Sequence, residues 1–289
     1  QKRTWQARTA QVFEVEDQWL DDQIARLPYT LTDPQREALL DLRKDLASGI
    51  PMNRLIQGDV GSGKTVVAAL TMGIVASQGA QAAIMAPTGI LAEQHYHNLR
   101  TLLASGEDGA SPDLRPLKGN EIRLMVGATP EAEKREIREG LADGSIKLVV
   151  GTHALIEDPV VFADLELTIV DEQHRFGVEQ RAALRSKGTN PHLLVMTATP
   201  IPRSLALTVY GDLDLSVIDE MPPGRQPVNT YVITPLERER AYRLIRGQVE
   251  IGRQAFIIYP LVEESEKSES KAAVEEYTRL QSEVFPQLK

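Results

Sequence analysis

Apolar residues along the 289-residue chain follow two rhythms. From Leu55 onward, short runs that are apolar at almost every position alternate with longer stretches in which apolar residues recur every third or fourth place. The uninterrupted runs read as strands buried on both faces, and the longer stretches as helices. Strands are predicted from Leu55 and over 82–86, 122–126, 146–150, 165–170 and 193–196. Helices are predicted over 90–104, 131–141 and about 178–186. This alternation defines an α/β fold, a parallel sheet covered by helices on both faces with right-handed crossovers.

Both ends depart from that rhythm. Trp5, Val12, Phe13, Trp19, Leu20, Ile24 and Leu27 lie at mixed three- and four-residue spacings, which predicts a helical arm over 1–27 closed by Leu27-Pro28. Its two tryptophans read as packing anchors rather than a binding face. Asp33 suits a helix N-cap and Pro34 the first helical position; Ala38, Leu39, Leu42 and Leu46 form the stripe, and Gly49 ends it. Around Asp212 the pattern changes. Residues 221–227 read as a linker, 230–234 as a strand, 236–249 as a helix, 255–259 as a strand, 263–270 as a charged loop, and a last helix begins at Lys271. The expected division is an N-terminal arm over 1–30, a first lobe over 31–212 and the beginning of a second lobe over 213–289. Two strands and two helices make a poor core, so the natural chain is expected to continue beyond Lys289.

Composition narrows the function classes. The chain is 42% hydrophobic and 25% charged, an ordinary globular balance. No run of 18 apolar residues suggests a membrane span, and the first residues lack the apolar stretch of a signal peptide. With no cysteine, disulfides, thiol catalysis and cysteine zinc sites are excluded, which fits a cytosolic protein. A net charge of −9 argues against a broad nucleic-acid-coating surface and leaves room for a narrow strand-binding track.

The strongest local signal lies where the first strand ends. Gly58, Asp59, Val60, Gly61, Ser62, Gly63, Lys64 and Thr65 fit G-x-x-x-x-G-K-[ST], a phosphate-binding loop. Glycines let several backbone N–H groups converge on one anion, and the helix that starts here aims its positive end at the same place. Lys64 is placed to reach the β- and γ-phosphates, and the Thr65 hydroxyl to hold Mg²⁺. The plain alternative is a Gly-rich turn. Such a loop needs an acidic partner, and the strand at 165–170 runs into Asp171-Glu172-Gln173-His174. Asp171 is placed to hold Mg²⁺ and Glu172 to orient the attacking water. Successive strand residues alternate sides, so the two carboxylates need not compete. His174 reads as a relay beside the γ-phosphate. His95 and His97 do not share a helix face and make no metal pair. Thr197 and Thr199 supply hydroxyls that can bridge to Asp171 or His174, with Pro200 holding Thr199 extended. Gln35, in a first helical turn, carries an amide that matches the N6 and N7 edge of adenine; a solvated side chain is the bland reading.

These elements come in a recognisable order. Gln35, the loop from Gly58 to Thr65, Ala86-Pro87-Thr88-Gly89, Gly151-Thr152-His153, Asp171 to His174 and Thr197-Ala198-Thr199 resemble the superfamily 2 helicases and translocases. The longer strings Asp171-Glu172-Gln173-His174-Arg175-Phe176-Gly177-Val178 and Thr197-Ala198-Thr199-Pro200-Ile201-Pro202-Arg203 resemble the RecG family of bacterial branch-migration motors. So do Leu27 to Thr32, Gly224-Arg225, Gly252 to Phe256 and Pro260 to Ser265. The motor of transcription–repair coupling factors is the near alternative; it has Glu where this chain has Gln173.

The resemblance implies a RecA-like lobe and the start of a second. It implies an ATP- and Mg²⁺-dependent DNA helicase or translocase that remodels stalled forks and Holliday junctions in recombination and repair. Gln35 would read adenine, and Gln173, His174, Thr197 and Thr199 would couple hydrolysis to movement. Thr88, Gly89, Gly151 and Thr152 would touch DNA phosphates, contacts that carry no sequence information. The implied protein is a monomer on branched DNA, cytoplasmic and nucleoid-associated. The RecG wedge domain and the second lobe's arginine fingers are not in this chain, so it is expected to bind ATP weakly and hydrolyse it poorly. Other classes fit less well: there is no Asn-Lys-x-Asp guanine reader and no Leu-Ser-Gly-Gly-Gln run. A nucleotide-binding module without catalysis is disfavoured by intact Lys64, Asp171 and Glu172.

Overall fold

A computed structural model describes residues 8–105, 116–172, 178–199, 213–221, 228–258, 274 and 276–288. The chain divides into two compact units, Gln1–Arg225 and Gln226–Lys289. The division falls inside the expected linker.

The first unit is built on a seven-stranded sheet. Its strands are β1 (Asn53–Gly58), β2 (Gln81–Met85), β5 (Ile122–Met125), β6 (Leu148–Gly151), β7 (Leu165–Asp171), β8 (His192–Thr197) and β9 (Asp214–Ile218). A short separate ladder pairs β3 (Ala104–Ser105) with β4 (Leu117–Lys118). The large sheet is parallel throughout, in the order β5-β6-β2-β7-β8-β1-β9. Its strands read as continuous apolar runs because each side of the sheet has its own core. Ile56, Ile84, Val150, Ile169 and Leu194 enter one cluster, while their neighbours Leu55, Met85, Val149, Val170 and Val195 enter the other. This is the period of two that a pleated strand imposes.

Helices cover both faces. They are α1 (Asp17–Ala25), α2 (Asp33–Leu46), α3 (Lys64–Ser77), α4 (Gly89–Leu103), α5 (Glu131–Ala142) and α6 (Val178–Arg185). Residues 66–76 of α3 are all buried, so it is a core helix, apolar all round. Residues of α1 to α4 line one cluster; Ile137 and Leu141 of α5 and Leu184 of α6 line the other.

Four expectations change. Among its described residues the arm is helical over Asp17–Ala25, and residues 8–16 contain no helix. There the Ala10 and Phe13 N–H groups bond to the carbonyls of Gly49 and Leu46, at 3.0 Å each, which removes them from any helix. Phe13 is fully buried, edge-on to His192. Trp19 packs against the core as expected, and Trp5 lies outside the described residues. Second, the cap of α2 is Thr32 rather than Asp33: its N–H donates to Gln35 Oε1 at 2.9 Å.

Third, the boundary expected between 212 and 213 is displaced. Strand β9 pairs with β1, from Arg54 beside Asp214 to Gly58 beside Ile218, and completes the first sheet. Arg54 fastens it: its guanidinium donates to Asp45 at 2.6 Å, to Asp41 at 3.1 Å and to Ser216 at 2.9 Å, linking α2, β1 and β9. Fourth, neither strand expected in the second unit forms among the described residues. Val232 is 99% and Ile258 88% exposed, and a strand needs a neighbour to hydrogen-bond; Tyr259 lies outside the described residues. This unit holds α7 (Arg238–Glu250) and a wide helical turn, Leu280–Val284, around Tyr242, Leu280, Val284 and Phe285. Tyr242 and Phe285 meet edge to face at 5.5 Å.

Candidate nucleotide site

The loop between β1 and α3 takes its shape from three glycines. Gly61 and Gly63 have φ of 80° and 87°, the left-handed region. Gly63 caps α3, and a Cβ there would lie 2.2 Å from Gln35 Nε2. At Gly58 a Cβ would lie 2.5 Å from Ser62 Oγ and 2.8 Å from the Ile218 carbonyl. Gln35 is buried, not solvated. Its Nε2 donates to the Ser62 carbonyl at 2.7 Å, so α2 clasps the loop.

Lys64 Nζ donates to the carbonyls of Gly58 at 2.6 Å and Asp59 at 3.0 Å. Burial pushes its pKa down, and the charges of Asp171, Glu172 and Asp59 oppose the shift. The acid pair therefore lies within electrostatic reach of Lys64. Loop and acids do not sit on neighbouring strand ends, because β8 lies between β7 and β1. Asp171 is level with Met196, and Met196 with Ile56, so loop and acids are two strand spacings apart, about 10 Å. Thr65 follows Lys64 on α3 and is half-buried.

Asp171 is buried at the end of β7. Its Oδ1 accepts the Glu172 N–H at 3.0 Å, and Oδ2 lies 2.7 Å from His95 Nε2. Glu172 has φ of 50°, rare for a residue with a side chain and costing on the order of 1–3 kcal/mol. Thr197 and Thr199 bond to each other, Oγ1 to Oγ1 at 2.8 Å, rather than bridging to Asp171. Gln173 and His174 lie outside the described residues. His95 was missed as a partner of Asp171, yet its place was legible. It shares the inner stripe of α4 with Ala92, Leu99 and Leu103, and a polar group in such a stripe calls for a partner.

The other half of the same sheet edge holds the candidate DNA contacts. Gly151 ends β6, and a Cβ there would lie 2.2 Å from the Met125 carbonyl. Thr152 is buried; Thr88, the exposed N-cap of α4, accepts the Leu91 N–H at 3.3 Å, with Gly89 half-buried behind it. Along the edge the order is β6, β2, β7, β8, β1, so candidate strand contacts and candidate phosphate contacts meet at Asp171.

The loop fits a triphosphate and its metal. The Ser62 hydroxyl is buried without a partner among the described residues, Gly61 and Gly63 hold the loop in the left-handed backbone that lets N–H groups converge, and Lys64, Thr65 and Asp171 supply cation, hydroxyl and carboxylate.

A profile of the DEAD/DEAH box helicases matches residues 32–208. The chain belongs to this family. Within it, the chain is 51% identical over 260 residues to the ATP-dependent DNA helicase RecG of Synechocystis sp., covering 90% of this chain and 30% of that protein. The RecG of Thermotoga maritima is 49% identical over 277 residues, covering 96% and 34%. A solved structure of RecG bound to a three-way DNA junction superposes with a TM-score of 0.75 at 41% identity, covering 98% of this chain and 36% of that one. The chain thus spans about a third of the length of the curated relatives it matches. Among the described residues no helix is long and apolar enough to cross a membrane.

Proposed function

We propose that this chain supplies the ATP-binding lobe of a cytoplasmic DNA motor that remodels branched duplexes, such as forks and Holliday junctions. One observation carries the reading: phosphate loop, acid pair and candidate strand contacts share a single sheet edge, with Asp171 and Glu172 between the other two. The similarity to RecG proteins supports the choice of DNA.

In this reading Lys64 leaves the Gly58 and Asp59 carbonyls to meet the phosphates. Thr65 and Asp171 would hold a magnesium ion, whose chemistry there would be to neutralise phosphate charge. Glu172, turned off the strand by its positive φ, orients the attacking water. Gln35 keeps one donor and one acceptor site beyond its bonds to Ser62 and Thr32, enough for adenine. Thr197 and Thr199 answer changes at Asp171 from the next strand. Thr88 and Gly89 hold the DNA backbone at the opening of α4, with Gly151 and Thr152 behind them. Gln173 and His174 serve hydrolysis and coupling.

ATP hydrolysis by the polypeptide carrying this chain, measured on a three-way junction, a linear duplex and no DNA, tests the reading. The junction is expected to stimulate most, and Lys64→Ala to reduce turnover at least about 100-fold. Equal stimulation by linear duplex leaves a motor and removes the branched substrate.

A further inference from the structure

We propose that His95 is a positioning residue for the carboxylate of Asp171; this deepens the nucleotide-site reading and rests on it. The pair is closed off from solvent, with side chains 8% and 11% exposed. His95 Nε2 lies 2.7 Å from Asp171 Oδ2, and the Glu172 N–H holds Oδ1 at 3.0 Å. One bond to each oxygen stops the carboxylate from turning about its own axis. Each oxygen still has a lone pair, so the group remains able to take a cation or its water. An N–H donated to a carboxylate is short and strong.

A packing role alone does not account for this histidine. Its Nδ1 is buried without a partner among the described residues. An apolar side chain in the stripe of Ala92, Leu99 and Leu103 would fill that space with no nitrogen to satisfy. What the imidazole offers is the Nε2 bond. Lys64 adds field to Asp171 and Glu172, but its amine bonds loop carbonyls here and turns to the phosphates in the proposed function, so direction comes from His95. Carboxylates that bind metals depend on such supporting bonds, and losing one costs 10- to 100-fold in metal affinity. His95 also lies seven residues after Thr88 on one unbroken helix, about 10 Å along its axis.

The test is binding of mant-ADP to the chain, followed by fluorescence while magnesium chloride is titrated, with affinity in EDTA as reference. His95→Leu removes the N–H donor, and His95→Gln supplies one of similar reach. His95→Leu is expected to raise the magnesium midpoint 10- to 100-fold, and His95→Gln to restore it to within about threefold. Melting temperatures in EDTA separate packing from positioning, because only positioning makes the magnesium midpoint follow the donor. A folded His95→Leu with the wild-type midpoint overturns the proposal, as does a midpoint raised equally in both variants. Where His95→Leu does not fold, His95→Gln decides alone: a wild-type midpoint supports the proposal and a raised one overturns it. Failure of the underlying reading looks different, since mant-ADP then binds wild type and Lys64→Ala alike; that outcome overturns both.

Discussion

A methyl group at Gly63 would overlap the Gln35 amide and force a side chain into left-handed backbone. Gly63→Ala is therefore expected to cost on the order of 1–3 kcal/mol. In a unit of this size that lowers the melting temperature by about 2–4 °C per kcal/mol. Scanning calorimetry checks the shift, and mant-ADP binding should fall in parallel, because the cap of α3 is also the cradle. Gln35→Ala is the complement: it leaves the Ser62 carbonyl without its clasp and should weaken adenine nucleotides more than free triphosphate, read by competition. The phosphate loop was legible because glycine, lysine and threonine each answer a local demand within eight residues. The Asp171–His95 bond was not, because its partners are 76 residues apart and meet only when β2 and β7 pair. The mutual bond of Thr197 and Thr199 was likewise invisible: hydroxyl type is written in the sequence, but its rotamer is not.

At the level of elements, the extended strip before α1 is the clearest case of packing overriding pattern. His192 holds it: Nδ1 accepts the Met52 N–H at 3.0 Å, and Nε2 donates to the Gln11 carbonyl at 3.0 Å. The Met52 bond requires the neutral ring, because a protonated Nδ1 cannot accept. Burial lowers its pKa, while the Gln11 bond and the charge of Asp45 push the other way. The unfolded chain then binds more protons in acid, so stability is full above the ordinary histidine value of 6.5 and falls as pH drops below it. Limited proteolysis between pH 5 and 8 should show the arm released first on the acid side, and His192→Phe should flatten that dependence. Phe13→Ala is expected to cost about 3–5 kcal/mol and expose the same segment at neutral pH. Three- and four-residue spacing could not reveal this strip, since a short segment can bury alternate side chains against an existing core with no helix. Among the described residues, 230–234 and 255–258 form no strand for the converse reason. Their apolar letters are right, and the described residues offer no neighbour to pair with.

For the whole molecule the boundary matters most. β9 covers the far side of β1, and Asp41, Arg54 and Ser216 tie it there. A chain ending at Arg225 is expected to fold and melt cooperatively. One ending at Asp212 leaves β1 as a bare edge with Arg54 short of a partner, and is expected to aggregate; light scattering and calorimetry distinguish the two. The alternation of Leu213, Leu215 and Val217 was readable as a strand, but nothing local says which sheet it joins.

That placement also gives the lobe a lever. Ile218, last residue of the strand by which the chain leaves the sheet, occupies the space a side chain at Gly58 would need. Whatever pushes the loop outward presses on the departing polypeptide within one atomic layer. Thermodynamic reciprocity makes the gearing run both ways, so tension applied to the exit should alter how tightly a nucleotide binds.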